Sequence, residues 1–268
     1  MTQSFWCDPD NESNYKPLNF GIQNYSKTEI IYQYNQDGFR CDDFNLESSH
    51  PLLFMGCSHT EGVGLPIDEV YSYHIYKNYQ DRLNIKIPFW SLGKGGTSID
   101  YAARVLYDYC KLLKPKNIIY LMSGFYRREY CLSESYSGWF PNPSPLYNAS
   151  QDFKNVSKLF SNPFFAAYES YRSLIILNFI AKNIGCKIYL FDLYSYTDKE
   201  RQFMEQTKEF DQIIYTPLKN LVYNKNLLIP DKILSRPMKA RDCSHYGARW
   251  HYVTSDAIWN FFKAKENL

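Results

Sequence analysis

The sequence predicts an α/β protein built as a three-layer, doubly wound parallel sheet. Three observations lead there. Short apolar runs recur along the chain. Segments with helical spacing follow most of them. Small or polar turn residues close the runs. Apolar strands alternating with helices imply a parallel sheet covered on both faces, with right-handed crossovers.

Taken in order, the first 33 residues are polar and Asn-rich with little periodicity, and read as an N-terminal arm. The domain proper is expected over 34–268. Asp37-Gly38 marks a tight turn. Leu52–Met55 is the first strand. Asp68–Tyr79 has helical spacing, with Val70, Tyr73 and Tyr76 on one face. Pro88–Leu92 is expected as a second strand, closed by Gly93-Lys94-Gly95-Gly96. Thr97 or Ser98 caps a helix to about Leu113, and Pro115 marks its end. Asn117–Met122 and Lys187–Leu193 are further strands, separated by a helix over Phe164–Ile184 that stops at Gly185. A helix near Asp198–Lys208, a strand at Gln212–Tyr215 and a final helix from about Tyr246 complete the pattern. That last helix carries a stripe of Tyr246, Trp250, Val253, Ala257 and Phe261. The stretch 130–163, rich in Ser, Asn, Pro and aromatics, is long for a connection and reads as a lid-like insertion.

With 268 residues the chain can bury a sizeable core in one or two domains. A net charge of +2, without a long basic block, argues against nucleic acid as a partner. The seven cysteines are scattered with no Cys-x-x-Cys pair, so neither a disulfide framework nor a zinc site is expected. Cys57 and Cys243 read as buried thiols. The N-terminus lacks the pattern of a signal peptide, and the longest apolar stretch, Leu174–Ala181, is too short to span a bilayer. The expected location is the cytoplasm, or a virion or phage particle assembled there, with no membrane partner.

In a doubly wound sheet, ligands sit beyond the C-terminal strand ends. Ser58, Gly96, Gly124 and Asp192 all follow predicted strands. Three motifs stand among them. Gly56-Cys57-Ser58 follows the first strand, with Thr60, Gly62 and Gly64-Leu65 after it. Ser91-Leu92-Gly93-Lys94-Gly95-Gly96-Thr97-Ser98 follows the second. Asp242-Cys243-Ser244-His245 precedes the last helix. Upstream lies Asn35-x-x-Gly38-Phe39-Arg40.

These blocks, over roughly residues 34–265, resemble the SGNH (GDSL-type) hydrolase family, and the upstream stretch is similar to a lead-in of several bacterial and phage members. The resemblance implies a flavodoxin-like, SGNH-hydrolase-like fold. It also implies a Ser-His-Asp triad of Ser58, His245 and Asp242. The family's oxyanion Asn is missing: Ser123-Gly124-Phe125-Tyr126-Arg127-Arg128 stands in its place, leaving Tyr126 or Arg127 as a donor.

The chemistry of the residues agrees with that implication. A serine hydroxyl needs a base to remove its proton. His245 would be that base, and Asp242 would fix its tautomer. The Ser58 backbone N–H and that of Gly96 would face the oxyanion. Arg128, His59 and Asp192 are candidate substrate contacts, with Glu61 a further one, whereas His251 is expected off the catalytic rim. No phosphate loop or metal-ligand cluster appears, and the triad chemistry needs no cofactor. The expected function is a serine esterase acting on a small-molecule or glycan ester, with a carbohydrate O-acetyl group as substrate. The alternatives are a non-catalytic glycan- or protein-binding module and an O-acyltransferase.

Overall fold

The computed structural model describes residues 2–7, 10–12, 25–44, 52–125, 127–133, 136–139, 162–193, 198–222 and 229–268. In chain order the strands are β1 (Thr2–Ser4), β2 (Tyr32–Tyr34), β3 (Leu52–Gly56), β4 (Asn117–Met122), β5 (Glu129–Ser133), β6 (Tyr136–Trp139), β7 (Lys187–Asp192) and β8 (Ile213–Pro217). The helices are α1 (Ser58–Glu61), α2 (Tyr71–Leu83), α3 (Ile99–Leu113), α4 (Pro163–Ile184), α5 (Asp198–Gln206), α6 (Leu218–Val222), α7 (Asp231–Leu234) and α8 (Ala248–Glu266). A four-stranded parallel sheet of order β3-β4-β7-β8, flanked by helices, is the α/β architecture expected.

The chain divides into two compact units. One comprises 1–54, 58–95 and 217–268; the other comprises 55–57 and 96–216.

The second unit holds most of the sheet. Every residue of β4 is buried, as is all of β7 beyond Lys187, which explains their largely apolar sequences between Asn117 at one end and Asp192 at the other. They pair in parallel from Asn117↔Lys187 to Met122↔Asp192. Its helices begin and end where the side chains dictate. The Ser98 hydroxyl accepts the Tyr101 N–H at the start of α3. Asn162 Oδ1 accepts the N–H groups of Phe164 and Phe165, with Pro163 at the first position of α4. Gly185 ends α4 in the left-handed region at φ 68°. Part of the predicted insertion forms an antiparallel pair, β5 with β6. Positions 134, 135 and 140–161 of it lie outside the described residues.

In the first unit α2 and α8 pack together, with Tyr79 ring-to-ring against Trp259 and Phe262. The predicted strand Pro88–Leu92 is reduced to one parallel bridge, Phe54↔Ser91. On one edge the Phe54 N–H donates to the Trp90 carbonyl at 3.1 Å and the Leu92 N–H to the Phe54 carbonyl at 2.8 Å. On the other, the Phe89 N–H donates to the Asp42 carboxylate at 2.8 Å and the Asp42 N–H to the Phe89 carbonyl at 3.0 Å. The stripe predicted for the last helix holds at Ala257, which is buried, but Tyr246 precedes the Gly247 cap and is exposed, and the buried face also runs through His251, Thr254, Ser255, Ile258, Trp259 and Phe262. Among the described residues no helix is long and apolar enough to cross a membrane.

Candidate active site

The first unit assembles Ser58, Asp242 and His245. Ser58 opens α1 directly after β3, and its carbonyl accepts the N–H groups of Gly62 and Val63, which closes the turn. Glycine is required at position 93, because a Cβ there would meet Thr60 Cβ at 2.8 Å and the Glu61 nitrogen at 3.1 Å.

His245 reaches Ser58 from a compact loop. Lys239 and Tyr246 form an antiparallel bridge, and the Ala240 N–H donates to the His245 carbonyl at 3.2 Å. Cys243 takes the left-handed conformation, φ 58°, which lets the chain double back within three residues. Asp242 Oδ1 accepts the backbone N–H groups of Ser244 and His245, both at 3.1 Å. Its Oδ2 lies 2.5 Å from His245 Nδ1, and His245 Nε2 lies 2.7 Å from Ser58 Oγ. Burial opposes charge on Asp242, but the hydrogen bonds and charge of His245 outweigh it and hold the carboxyl below its ordinary range. The Cys243 side chain is exposed at the loop's apex, unlike the buried thiol expected, whereas Cys57 is buried.

His59, a candidate substrate contact, is buried. Its ring stands edge-on to His245 at 5.1 Å and stacks on Tyr246 at 5.4 Å. Tyr246 in turn stacks on Trp250 at 4.7 Å, with 42% of its surface exposed. His251 Nδ1 accepts the Tyr71 N–H at the start of α2. Complete burial, with help from the charges of His74 and His245, pushes the His251 pKa down to about 3.

Glu61, expected as a substrate contact, is buried. Its Oε2 accepts the Gly95 N–H at 2.5 Å and its Oε1 the Tyr34 hydroxyl at 3.1 Å. Burial pushes its carboxyl upward, against the pull of Lys94, the Gly95 N–H and Arg40. The same turn is gripped from outside by Arg40, which donates to the carbonyls of Glu61, Gly62, Leu65 and Ile31. Asn35 Oδ1 accepts the N–H groups of Asp37 and Phe39 and so shapes the bend that delivers Arg40. The Asn35-x-x-Gly38-Phe39-Arg40 motif therefore has a physical purpose that the sequence reading did not assign.

The remaining candidates lie in the second unit. Gly96 has φ 76°. The Arg127 N–H donates to the Gly124 carbonyl, closing the turn after β4; Tyr126 lies outside the described residues. Arg128 is buried, with Nη1 3.3 Å from Asp100 and Nη2 3.8 Å from Glu169. Asp192 is buried and accepts the Tyr215 hydroxyl at 2.6 Å. Both charged groups are thus engaged within their own unit. Among the described residues no group of three or more His, Cys, Asp or Glu is arranged to hold a metal ion.

The chain is similar to solved structures of GDSL-like lipases and esterases. One is the psychrotrophic esterase EstA from Pseudoalteromonas sp., at 10% identity and TM-score 0.49, covering 82% of this chain and 100% of that one. A second is a GDSL-like lipase from Bacteroides thetaiotaomicron, at 10% identity and TM-score 0.44, covering 84% and 93%. A third is the acetyl-xylooligosaccharide esterase Axe2 from Geobacillus, at 16% identity and TM-score 0.45, covering 80% and 94%. No protein-family model matches the chain, and no curated protein matches it. At such low identities the chemistry of this chain rests on its own geometry.

Proposed function

We propose that this chain is a serine esterase of the SGNH type. The observation that carries the reading is the unbroken hydrogen-bond chain from Ser58 Oγ through His245 to Asp242, at 2.7 and 2.5 Å. Those distances are within reach for proton transfer from a nucleophile to its base. Ser58 attacks the ester carbonyl while His245 Nε2 takes its proton. The tetrahedral intermediate collapses as the same nitrogen protonates the departing alcohol. Water, deprotonated by His245, then releases the acid from the acyl enzyme. Asp242, held charged, stabilises the imidazolium formed in each half-reaction. The backbone N–H of Ser58 is an oxyanion donor in this scheme.

The preferred substrate is an O-acetyl group on a carbohydrate. What favours it is the Tyr246–Trp250 pair beside His59 and His245. Tyr246 is exposed and amphipathic, apolar in body with a polar tip, and Lys239 Nζ lies over its ring 5.3 Å from the centroid, so its edge and hydroxyl are what a sugar would meet.

Hydrolysis of p-nitrophenyl acetate by wild type, Ser58→Ala and His245→Ala tests the triad. Both variants are expected to lose about 1000-fold or more in kcat, since triad members act as a unit. Equal rates for all three would remove the esterase reading. Acetate release from acetylated oligosaccharides by Tyr246→Ala tests the substrate, with a raised KM at little-changed kcat expected.

A further inference from the structure

One residue before Asp242, Arg241 is fully buried and meets an equally buried Asp10 from the N-terminal segment. Nε lies 3.1 Å from both Asp10 oxygens, and Nη2 donates to Asp10 Oδ2 at 2.7 Å. Nη2 also donates to the Phe5 carbonyl, and Nη1 to the carbonyls of Lys27 and Ser26. A guanidinium has five N–H donors, and these partners use all of them. Trp6 lies under the guanidinium, 4.2 Å from its carbon to the ring centroid. Every one of these partners comes from residues 5–27.

The network also reaches the nucleophile's turn. The Arg241 N–H donates to the Gly64 carbonyl at 2.9 Å. The Gly64 N–H donates to the Tyr32 hydroxyl at 2.7 Å, and that hydroxyl donates to Asp10 Oδ2 at 2.5 Å. Gly64 sits at φ 76°, where a Cβ would strike Ala240 Cβ at 2.7 Å. A closed circuit therefore joins Gly64, Tyr32, Asp10 and Arg241. It ties the turn that starts at Ser58 to the loop that carries Asp242 and His245.

We propose that Asp10, acting through Arg241, is a positioning residue for the triad: it sets where Asp242 and His245 stand relative to Ser58. This rests on the esterase reading above. A bidentate ion pair fixes direction as well as distance. Displacing a reacting group by about 1 Å can cost roughly 100-fold in rate.

The test compares the full-length wild type with Asp10→Asn and Arg241→Lys. Three quantities are measured well below each variant's Tm: kcat and KM on p-nitrophenyl acetate, and the rate at which a fluorophosphonate probe labels Ser58. Asp10→Asn keeps the shape and removes the charge. Arg241→Lys keeps the charge but replaces the planar fork with three donors. The expected result is a loss of about 10- to 100-fold in kcat and in labelling rate for both variants, with KM changed less than about twofold. Arg241→Ala supplies a further readout: millimolar guanidinium should restore its kcat, where equal sodium chloride does not. Unchanged kcat and labelling per folded molecule, with only Tm lowered, would overturn the proposal and leave a purely structural clamp. If Arg241→Ala does not fold, the Asp10→Asn labelling rate alone decides. Wild type that resists the probe would instead overturn the esterase reading, so the two failures are distinguishable.

Discussion

The two units of the chain bury apolar and charged side chains in different proportions. In the unit built from 55–57 and 96–216, β4 and β7 bury Ile118, Ile119, Leu121, Ile188, Leu190 and Phe191, with Tyr120 and Tyr189 among them. Buried charge is denser in the other unit: Asp10, Arg40, Glu61, Arg241 and Asp242 are inside, together with His59 and His251, against Arg128 and Asp192 in the sheet unit. An apolar strand tolerates much rearrangement of its neighbours as long as volume is kept. A buried charge does not, because an unpaired partner costs several kcal/mol. The difference teaches where directional precision is needed. It surrounds Ser58, Asp242 and His245.

The contrast can be broken most severely at Asp242. Asp242→Asn is expected to leave Tm within a few degrees and to lower kcat by about 10,000-fold, because the imidazole loses its tautomer control. Steady-state kinetics alongside a thermal melt reads both effects. A variant that melts early and keeps its rate would reverse the division between the units.

Leu190→Ala acts on the other side. Leu190 is completely buried on β7. Its truncation should cost about 2–5 kcal/mol in urea unfolding through the lost transfer energy and the cavity left behind. Esterase activity of the folded chain at low temperature should survive if the proposed function holds, and a loss of kcat without a loss of stability would contradict this.

The smallest effect sharpens the electrostatic side. The unfolded chain takes up a proton at His251 near the ordinary imidazole value of about 6.5. The folded chain resists until about 3. Between those values the unfolded state binds more protons, so stability falls as pH drops from 6.5 toward 3. His74, also pushed down by burial, acts in the same direction, whereas Glu61, pushed up, acts in the opposite one. The difference between wild type and His251→Gln isolates the one group, since Gln retains an acceptor for the Tyr71 N–H. Melting temperatures taken from pH 7 to 4.5 should fall more steeply for wild type than for the variant.

Much of this was legible in the chain. The sheet strands announce themselves because burial on both faces demands largely apolar runs. The helix limits at Ser98, Asn162 and Gly185 follow from side chains acting within three residues of the backbone they satisfy. Asp242 and His245 were readable for the same reason of locality. Pro88–Leu92 misled because an apolar run does not show how many of its residues find a partner strand; here only Ser91 bridges, to Phe54. Glu61 was noticed, but nothing in its neighbourhood points to Gly95. Asp10 and Arg241 carried no signal at all, because a pair 231 residues apart leaves no periodicity behind.

That separation has a consequence for how the protein is made. Asp10 leaves the ribosome 231 residues ahead of Arg241. At about 5–20 residues per second, it waits roughly 10–50 s for its partner. Contacts so distant in sequence are also the slowest to close. The sheet strands Asn117–Met122 and Lys187–Asp192 are complete well before then. Until Arg241 arrives, the nascent chain holds its serine without the aspartate and histidine beside it. A chain with this order of assembly brings Ser58, Asp242 and His245 together last.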